Sequence, residues 1–269
     1  MDEQEQKRKL KETFNTIAKG YDSPALLFFS KSAALLPGQL ALQGDEHVLD
    51  VATGTGHAAL ALAAELPRGR VTGIDFSEGM LAEAKGKLRE RGVENVTLHQ
   101  MDMQALGFHA ESFDAAVFSF SLFFVEDMGG LLGHVRGKVR PGGRVLATSF
   151  QEGTFCPQVD MFFERVKKYG VEVPARWRRL SSPQECTELF EAAGLKDVRV
   201  EAKSVGYHLS EAEGWWEVIW NAGLRRFVSD LSSAELERFR REHMEEIGTL
   251  CSKEGLWLEV KVLYTQGGA

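Results

Sequence analysis

Apolar and polar positions along the chain form short apolar runs that alternate with longer amphipathic segments. The short runs have the length of strands, and the longer segments repeat apolar residues every three or four positions, as helices do. This alternation predicts an α/β fold. The predicted strands are residues 48–51, 70–75, 96–99, 112–118, a fifth strand entered through a turn at 141–143, 198–205 and 256–264.

The first 36 residues predict two helices with a break between residues 20 and 24. Pro24 suits the first turn of the second helix, where a missing backbone N–H costs little. Phe14, Ile17 and Tyr21 are spaced three and four apart, so they share one apolar helical face. Further helices are predicted at residues 57–63, 78–91, 128–139, 158–169 and 183–193.

Residues 48–63, VLDVATGTGHAALALA, predict a buried strand, a tight turn and a helix. Gly54 and Gly56 mark the turn, where glycine permits positive φ and lets a ligand approach the backbone closely. The amides that open the helix at His57 favour negative charge. The pattern therefore predicts a ligand site at this turn.

Asp50 distinguishes between the ligands that such a turn binds. A carboxylate beside the glycines would repel the pyrophosphate of a dinucleotide. S-adenosylmethionine has no phosphate and carries an ammonium and a sulfonium, which an acid helps to hold. Gly54, Gly56 and Ala59 nevertheless fit G-x-G-x-x-A, so an NAD(P)-dependent oxidoreductase remains an alternative.

The heptapeptide DVATGTG resembles the nucleotide loop of class I S-adenosylmethionine-dependent methyltransferases, in particular the ubiquinone/menaquinone-biosynthesis group. FNTIAKGYD, SFDAAVFSFSL and RPGG resemble further stretches of the same family. Ala52 stands where many members have glycine, which we interpret as a mild change because alanine is the next smallest residue. The resemblance implies a Rossmann-like, seven-stranded, mostly parallel sheet whose antiparallel last strand lies between the fifth and sixth.

The resemblance also implies where S-adenosylmethionine binds and S-adenosylhomocysteine leaves. Asp75 ends the second strand and would accept the ribose hydroxyls, a position that a nicotinamide site would share. Tyr21 would cover the methionine half, although its helical spacing also suits a plain apolar face. Met80 has a core alternative, and Asp102 has a solvated-turn alternative. The implied cofactor residues are Tyr21, Asp50, Ala52, Thr53, Gly54, Gly56, Asp75, Phe76, Met80, Asp102, Met103 and Ser119.

We expect one methyltransferase domain over residues 1–269. Its parts would be a helical lid (1–44), a cofactor half (45–150) and a substrate half (151–269). The substrate half contains a helical insertion at about 210–250 with Trp215, Trp216 and Trp220. Insertions on such sheets often cover substrate pockets; the alternative is a helical hairpin whose tryptophans only anchor it to the core.

The sequence after the fourth strand, SFSLFF, replaces the Asn/Asp-Pro-Pro-aromatic run that amino-group methyltransferases of DNA usually carry. Phe120, Phe123 and Phe124 would line a pocket for a small apolar or aromatic acceptor, or else belong to the core. His57, His208, Tyr21 and Glu126 are candidate bases by residue type alone. No catalytic residue is assigned.

Composition narrows the function classes further. The net charge of -7 argues against a nucleic-acid partner, and we interpret Arg176, Arg178 and Arg179 as solvated surface. Three widely spaced cysteines without C-x-x-C indicate neither disulfides nor a metal site, which fits the reducing cytoplasm. No apolar run reaches the roughly 20 residues of a membrane span. A non-catalytic binding module, with the Trp-rich insertion as its contact surface, is a second alternative.

Overall fold

The computed structural model describes residues 3–173 and 179–269, so Arg176 and Arg178 of the basic stretch lie outside the described residues. Strands and helices alternate along the chain, as the hydrophobic pattern predicts. The strands are β1 (His47–Val51), β2 (Arg70–Asp75), β3 (Val96–Gln100), β4 (Phe113–Ser119), β5 (Val139–Phe150), β6 (Lys196–Ser204), β7 (Tyr207–Leu209), β8 (Leu256–Leu258) and β9 (Lys261–Gly268).

Helices flank these strands and cover the sheet. The N-terminal segment breaks between residues 20 and 24 as predicted, and Ser23 caps the short 3₁₀ turn that begins at Pro24. It then breaks again before a third short helix that the sequence did not predict. The helices are α1 (Glu3–Ile17), α2 (Leu27–Ala33), α3 (Leu36–Leu40), α4 (His57–Ala64), α5 (Glu78–Glu90), α6 (Met128–Arg136), α7 (Gln158–Lys168), α8 (Pro183–Ala192), α9 (Glu213–Asn221) and α10 (Ser233–Gly248).

Seven strands form one sheet in the order β3-β2-β1-β4-β5-β9-β6. The first five are parallel, and β9 runs antiparallel between β5 and β6. This arrangement confirms the predicted Rossmann-like fold. The strand order reverses between β1 and β4, and the crevice beyond the carboxyl ends of such strands is where ligands bind in open α/β sheets.

β1 lies inside the sheet, between β2 and β4, and is buried on both faces. Val48 belongs to the apolar cluster on one side and Leu49 to the cluster on the other, and neither side chain is exposed. Successive residues of a strand point to opposite faces, which explains why the strand is almost wholly apolar. Asp50 is therefore a carboxyl group inside the core.

Two expected boundaries are wrong. The predicted strand 256–264 is two strands, because β8 leaves the main sheet and pairs with β7 in a separate two-stranded ribbon. The Pro141–Gly143 turn does not precede β5 but lies within it, as a register shift against β4 with Gly142 at φ +82. The ribbon of β7 and β8 closes the base of the helical insertion.

α9 and α10 form the predicted insertion, and Trp215 ties them together. Its ring is fully buried, and its Nε1–H donates to Nε2 of His243, which is also fully buried, at 2.9 Å. The proton of neutral His243 must then be on Nδ1. Nδ1 is buried and has no hydrogen-bond partner among residues 3–173 and 179–269. The pKa of His243 falls to about 4, mainly through burial and also through the charge of Arg165.

We expect His243 to make the stability depend on pH. Because its folded pKa lies below the ordinary 6.5, the unfolded chain binds the extra proton, so stability is lost as pH falls from 6.5 toward 4. Between pH 7 and pH 5 the loss should be about 2 kcal/mol. His243→Gln keeps an acceptor for Trp215 but does not titrate. In urea unfolding, the amount by which the variant is less stable than the parent should therefore shrink by about 2 kcal/mol from pH 7 to pH 5. A deficit that stays constant with pH would contradict the assignment.

No described helix is both long enough and apolar enough to cross a bilayer. In the described structure none of the three cysteines forms a disulfide. Within the described part of the chain, no group of three or more His, Cys, Asp or Glu side chains is placed to hold a metal ion.

Candidate functional site

The glycine loop, residues 52–56, joins β1 to α4 at the carboxyl edge of the sheet. Gly54 and Gly56 both have positive φ, +56 and +87. A Cβ placed on Gly54 would meet nothing within 4 Å, whereas one on Gly56 would lie 3.3 Å from the Cβ of Ala84 in α5. Gly54 thus borders open space that a ligand can enter, and Gly56 permits close packing of the loop against a helix.

Ala52 also has positive φ, +59. Our interpretation of this residue as a mild replacement for glycine considered only its size and is wrong about the backbone. The left-handed conformation costs a residue with a Cβ about 1–2 kcal/mol. Backbone strain of this kind persists where the surrounding structure enforces it, as at ligand sites.

Asp50 is the acid buried beneath this loop. Its Oδ2 accepts a hydrogen bond from the Thr53 hydroxyl. Burial raises its pKa to about 7, and the nearby Asp75 adds to the rise, while Thr53 and the Ala59 amide favour the charged form. Its Oδ1 is buried without a hydrogen-bond partner of normal geometry in the described structure. A cationic ligand would supply the interaction that this oxygen lacks.

Asp75 ends β2 beside Asp50 and holds two backbone segments together. Its Oδ2 accepts from the Gly54 N–H at 2.8 Å, and its Oδ1 accepts from the Ser77 N–H at 2.9 Å. Burial raises the pKa of this carboxyl against those hydrogen bonds. Each carboxylate oxygen has a second lone pair, so Asp75 can still accept hydrogen bonds from a ribose. The acid shapes the loop as well as offering a ligand contact.

We expect Asp75→Ala to weaken both cofactor binding and the fold. Losing a charged acceptor costs about 1.5–3 kcal/mol, which corresponds to roughly ten- to a hundredfold in affinity. The amides of Gly54 and Ser77 also lose their acceptor, at about 1–3 kcal/mol each where they stay buried. Calorimetry with S-adenosylhomocysteine and urea unfolding measure the two effects separately. Asp75→Asn retains one acceptor oxygen, so its affinity and stability should lie between those of the parent and Asp75→Ala. Unchanged affinity in both variants would refute the role of Asp75 in cofactor binding.

The residues predicted around the adenine lie beneath α1. Met80 is buried against Ile17 and Ala18, and the Phe76 ring lies 6.4 Å from that of Phe14. These contacts agree with the core alternative for Met80 and leave its ligand role a prediction. Met103 is half-buried at the end of the neighbouring strand β3.

Asp102 is not only a solvated turn residue. Its Oδ2 pairs with Nζ of Lys7 from α1 at 2.6 Å, and its Oδ1 accepts from the Gln104 N–H. Both charged side chains of the pair are about one-third exposed. The lid helix therefore reaches the acid that the family resemblance assigns to the adenine amine.

Tyr21 follows the last turn of the N-terminal helical segment and directly precedes Asp22, whose carboxylate accepts from Thr55 of the glycine loop. Its ring stacks on Phe29 with centroids 4.6 Å apart. Burial raises the pKa of its hydroxyl, and the carboxylates of Asp75 and Asp22 raise it further. Tyr21 is thus close to two site carboxylates, although its predicted contact with a cofactor stays a prediction.

Ser119 ends β4 beside the loop, and an aromatic cluster follows it. Phe120 has φ +52, and its N–H donates to the Thr148 hydroxyl at 3.0 Å. The Phe120 ring stacks on Phe150 at 4.5 Å and meets Phe29 at 5.5 Å. The aromatic cluster comprises Phe28, Phe29, Phe120, Phe150 and Phe155.

This cluster is largely core, as one alternative predicted. Phe28 and Phe120 are 1% and 4% exposed. Phe123 and Phe124 are half-buried, with Phe124 5.3 Å from Phe14 of the lid. These two rings are the better candidates for an acceptor wall.

The candidate bases lie in different places. His57 opens α4 at the glycine loop and pairs with Asp22 at 2.7 Å, whereas Glu126 is exposed beyond the end of β4. His208 is on the β7–β8 ribbon, where it contacts Trp257 and pairs with Glu254. The structure brings only His57 and Tyr21 of this set to the loop.

The polar contacts of two residues, Arg179 and Asp22, escaped the sequence analysis. Arg179 is not simply solvated surface, because it donates to the carbonyls of Val125 and Glu126 at 2.6 and 2.8 Å. Asp22 pairs with His57 and with Lys87, and it accepts from the Thr55 hydroxyl. Its place directly after Tyr21 in FNTIAKGYD was the available signal.

The sheet order, the glycine loop at its switch point and acids at the ends of two adjacent strands define a Rossmann-like protein with a site for a nucleoside-containing cofactor. A family profile described as "Methyltransferase domain" matches residues 48–143. Aklanonic acid methyltransferase DauC of Streptomyces sp. (strain C5) is 33% identical over 183 residues, which are 66% of this chain and 83% of that protein. The chain belongs to the class I S-adenosylmethionine-dependent methyltransferases.

Other comparisons agree with that assignment. Demethylmenaquinone methyltransferase of Lactococcus lactis subsp. lactis (strain IL1403) is 29% identical over 217 residues, covering 74% of this chain and 86% of that protein. A crystal structure of a putative methyltransferase from Bacillus halodurans C-125 has the same fold, with a TM-score of 0.60, 19% identity and coverage of 88% and 97%. The similarities support methyl transfer with S-adenosylmethionine and do not support the oxidoreductase alternative.

Proposed function

We propose that the glycine loop and the acids around it hold S-adenosylmethionine. The observation that carries this placement is the buried Asp50 Oδ1, which has no hydrogen-bond partner of normal geometry in the described structure. Asp50 belongs to the strand that leads into the glycine loop, where Gly54 borders open space. Asp50 would face the cationic methionine end, and Asp75 would hold the ribose. Asp102, Met103, Phe76 and Met80 would surround the adenine.

The remaining predicted contacts complete this arrangement. Ala52, Thr53, Gly54 and Gly56 shape the loop backbone, Ser119 borders it from β4, and Tyr21 covers it from the lid. The division into lid, cofactor half and substrate half within one domain is part of the same proposal. The three cysteines are not joined in disulfides in the described structure, which supports the proposed cytoplasmic location.

S-adenosylmethionine supplies a methyl group already activated on a sulfonium, so the protein's tasks are to align the acceptor and to exclude water. The aromatic side chains after β4 and in the lid make an apolar surround on the acceptor side. Phe14 contacts Phe124 and Phe29 contacts Phe120, so the lid packs against the aromatic side chains that follow β4. The proposal assigns no general base.

We propose a small apolar or aromatic acceptor. Half-buried Phe123 and Phe124 support this choice, and the net charge of -7 opposes a nucleic-acid substrate. The relatives' names point the same way, since one acts on aklanonic acid and others on demethylmenaquinone. Selectivity would reside in the lid and in the insertion at 210–250.

Transfer of labelled methyl from S-adenosylmethionine tests the acceptor class. We expect label in a reduced demethylmenaquinone analogue and none in a DNA oligonucleotide. Phe123→Ala should raise the KM for the quinol. Phe108→Ala removes an equally half-buried ring that packs on Phe113 elsewhere and should leave KM unchanged. Label in DNA alone would refute the proposed acceptor class.

A further inference from the structure

Asp22 connects the lid to three other parts of the site. Its Oδ1 accepts from the Thr55 hydroxyl at 2.7 Å and pairs with Nε2 of His57 at 2.7 Å. Its Oδ2 pairs with Nζ of Lys87 at 2.7 Å. Thr55 belongs to the glycine loop, His57 to the first turn of α4 and Lys87 to α5. One carboxylate therefore joins the N-terminal segment to the loop and to both following helices.

The partners of Asp22 are more buried than an ordinary surface ion pair. Thr55 is 1% exposed, and the Lys87 side chain is 15% exposed. Exposed pairs contribute little, whereas charges withdrawn from water depend on their partners. The Thr55 hydroxyl donates a hydrogen bond to the carboxylate and so fixes its direction, and the Lys87 ammonium adds an ion pair. The contact can therefore set the loop conformation, which an exposed surface ion pair would not do.

Thr55 lies between the two loop glycines, so a contact made by its side chain restrains the backbone of the whole turn. Gly54 and Gly56 have no side chains of their own and leave the backbone free to change. A hydrogen bond from the Thr55 hydroxyl to Asp22 restrains the residue between them. In return, the loop restrains Asp22 and with it the adjacent Tyr21.

The other side of this segment is also held. Ser23 donates to Glu217 of α9, and the side-chain amide of Asn221 approaches Gly20 so closely that a Cβ there would lie 2.3 Å from its Oδ1. Residues 20–23 thus lie between the insertion and the glycine loop. Tyr21 has little freedom while both contacts are in place.

We propose that Asp22 is a positioning residue that fixes the glycine loop and the lid in one arrangement, so that Tyr21 covers the methionine half of the bound cofactor. The inference rests on the proposed cofactor placement. Asp22 acts through Thr55, His57 and Tyr21 and takes no part in methyl transfer itself. Its removal should lower cofactor affinity more than it lowers the stability of the fold.

Calorimetry with S-adenosylhomocysteine tests the inference. Asp22→Asn should weaken binding about tenfold, and Asp22→Glu, which keeps the carboxylate, should recover most of that loss. Lys11→Ala is the matched control, because it breaks an exposed lid contact to Glu78 without touching the loop. Its affinity should stay within twofold of the parent.

A double-mutant cycle separates positioning from a purely structural role. Thr55→Val removes the hydroxyl donor and should weaken binding severalfold on its own, which also tests the inference if Asp22→Asn does not fold. Asp22→Asn keeps a side-chain oxygen that could still accept from Thr55, so the cycle uses Asp22→Ala. The double variant Asp22→Ala/Thr55→Val should bind no more weakly than Asp22→Ala, because either change breaks the contact between these two side chains. Losses that multiply, or a lower melting temperature with unchanged affinity, would overturn the inference. Failure of the parent to bind would instead overturn the proposed function.

Discussion

Asp50→Asn should abolish useful cofactor binding while making the cofactor-free protein more stable at alkaline pH. The variant retains the size of the side chain and an acceptor for the Thr53 hydroxyl, but it cannot carry charge. Removing one member of a desolvated charge pair costs about 2–5 kcal/mol. The middle of that range, about 3.5 kcal/mol, corresponds to a several-hundredfold loss of affinity for S-adenosylhomocysteine, since each 1.4 kcal/mol is about tenfold.

The stability effect of the same substitution has the opposite sign. Because burial raises the folded pKa of Asp50 to about 7, the folded chain retains a proton that the unfolded chain has lost. This contribution is complete below the ordinary carboxyl value and disappears as pH rises through 7. From pH 4 to pH 8 the free energy of unfolding of the parent should therefore fall relative to that of Asp50→Asn. The fall should be at most about 4 kcal/mol.

Urea unfolding of both proteins at pH 4 and pH 8 measures this change in relative stability, and calorimetry measures the loss of binding. The parent should also release a proton on binding below pH 7, with affinity rising up to about tenfold per pH unit from pH 5.5 toward 7. Asp50→Asn should lose this dependence. Tight, pH-independent binding by the variant would remove Asp50 from the site.

Trp215→Ala should cost about 3–5 kcal/mol of stability, as truncation of a large buried aromatic side chain does. The ring is fully buried in the core cluster, and its loss also leaves Nε2 of His243 without its donor. The structure thus favours the core alternative for this tryptophan over direct substrate contact. Methyl transfer should decline only as far as the folded fraction declines.

Trp257→Ala is the matched control for that experiment. Trp257 lies on the β7–β8 ribbon and is 44% exposed, so its truncation should change the free energy of unfolding by about 0.5 kcal/mol or less. A stable Trp215→Ala that binds S-adenosylhomocysteine but fails to transfer methyl would instead show a substrate role.

The sequence predicted the sheet order well because its family motifs occur in a fixed order along the chain, and each motif belongs to a particular strand. DVATGTG, SFDAAVFSFSL and RPGG fix successive positions along β1, β4 and β5, and the antiparallel last strand follows from the family resemblance. The break within residues 256–264 escaped prediction, because LWLEVKVLY is apolar along most of its length and contains no Gly or Pro to mark the break. Periodicity shows that a segment is extended and does not show which sheet it joins.

The candidate site was predictable at the strand ends and less so between elements. Asp50 and Asp75 follow from short-range pattern, since Asp75 ends a buried strand and Asp50 stands one residue before the end of another. The positive φ of Ala52 depends on the turn and cannot be inferred from side-chain size. Asp22 and Lys87 are 65 positions apart in the chain, and such a contact is set by tertiary packing, which no local pattern records.

Thermal unfolding of the parent protein with S-adenosylhomocysteine, NAD and NADP tests the assignment of the site most directly. A ligand that binds only the folded chain, at about 100 times its dissociation constant, adds about 2.7 kcal/mol to the free energy of unfolding. We expect that gain with S-adenosylhomocysteine and no gain with either dinucleotide. Stabilisation by NAD or NADP without stabilisation by S-adenosylhomocysteine would contradict the account.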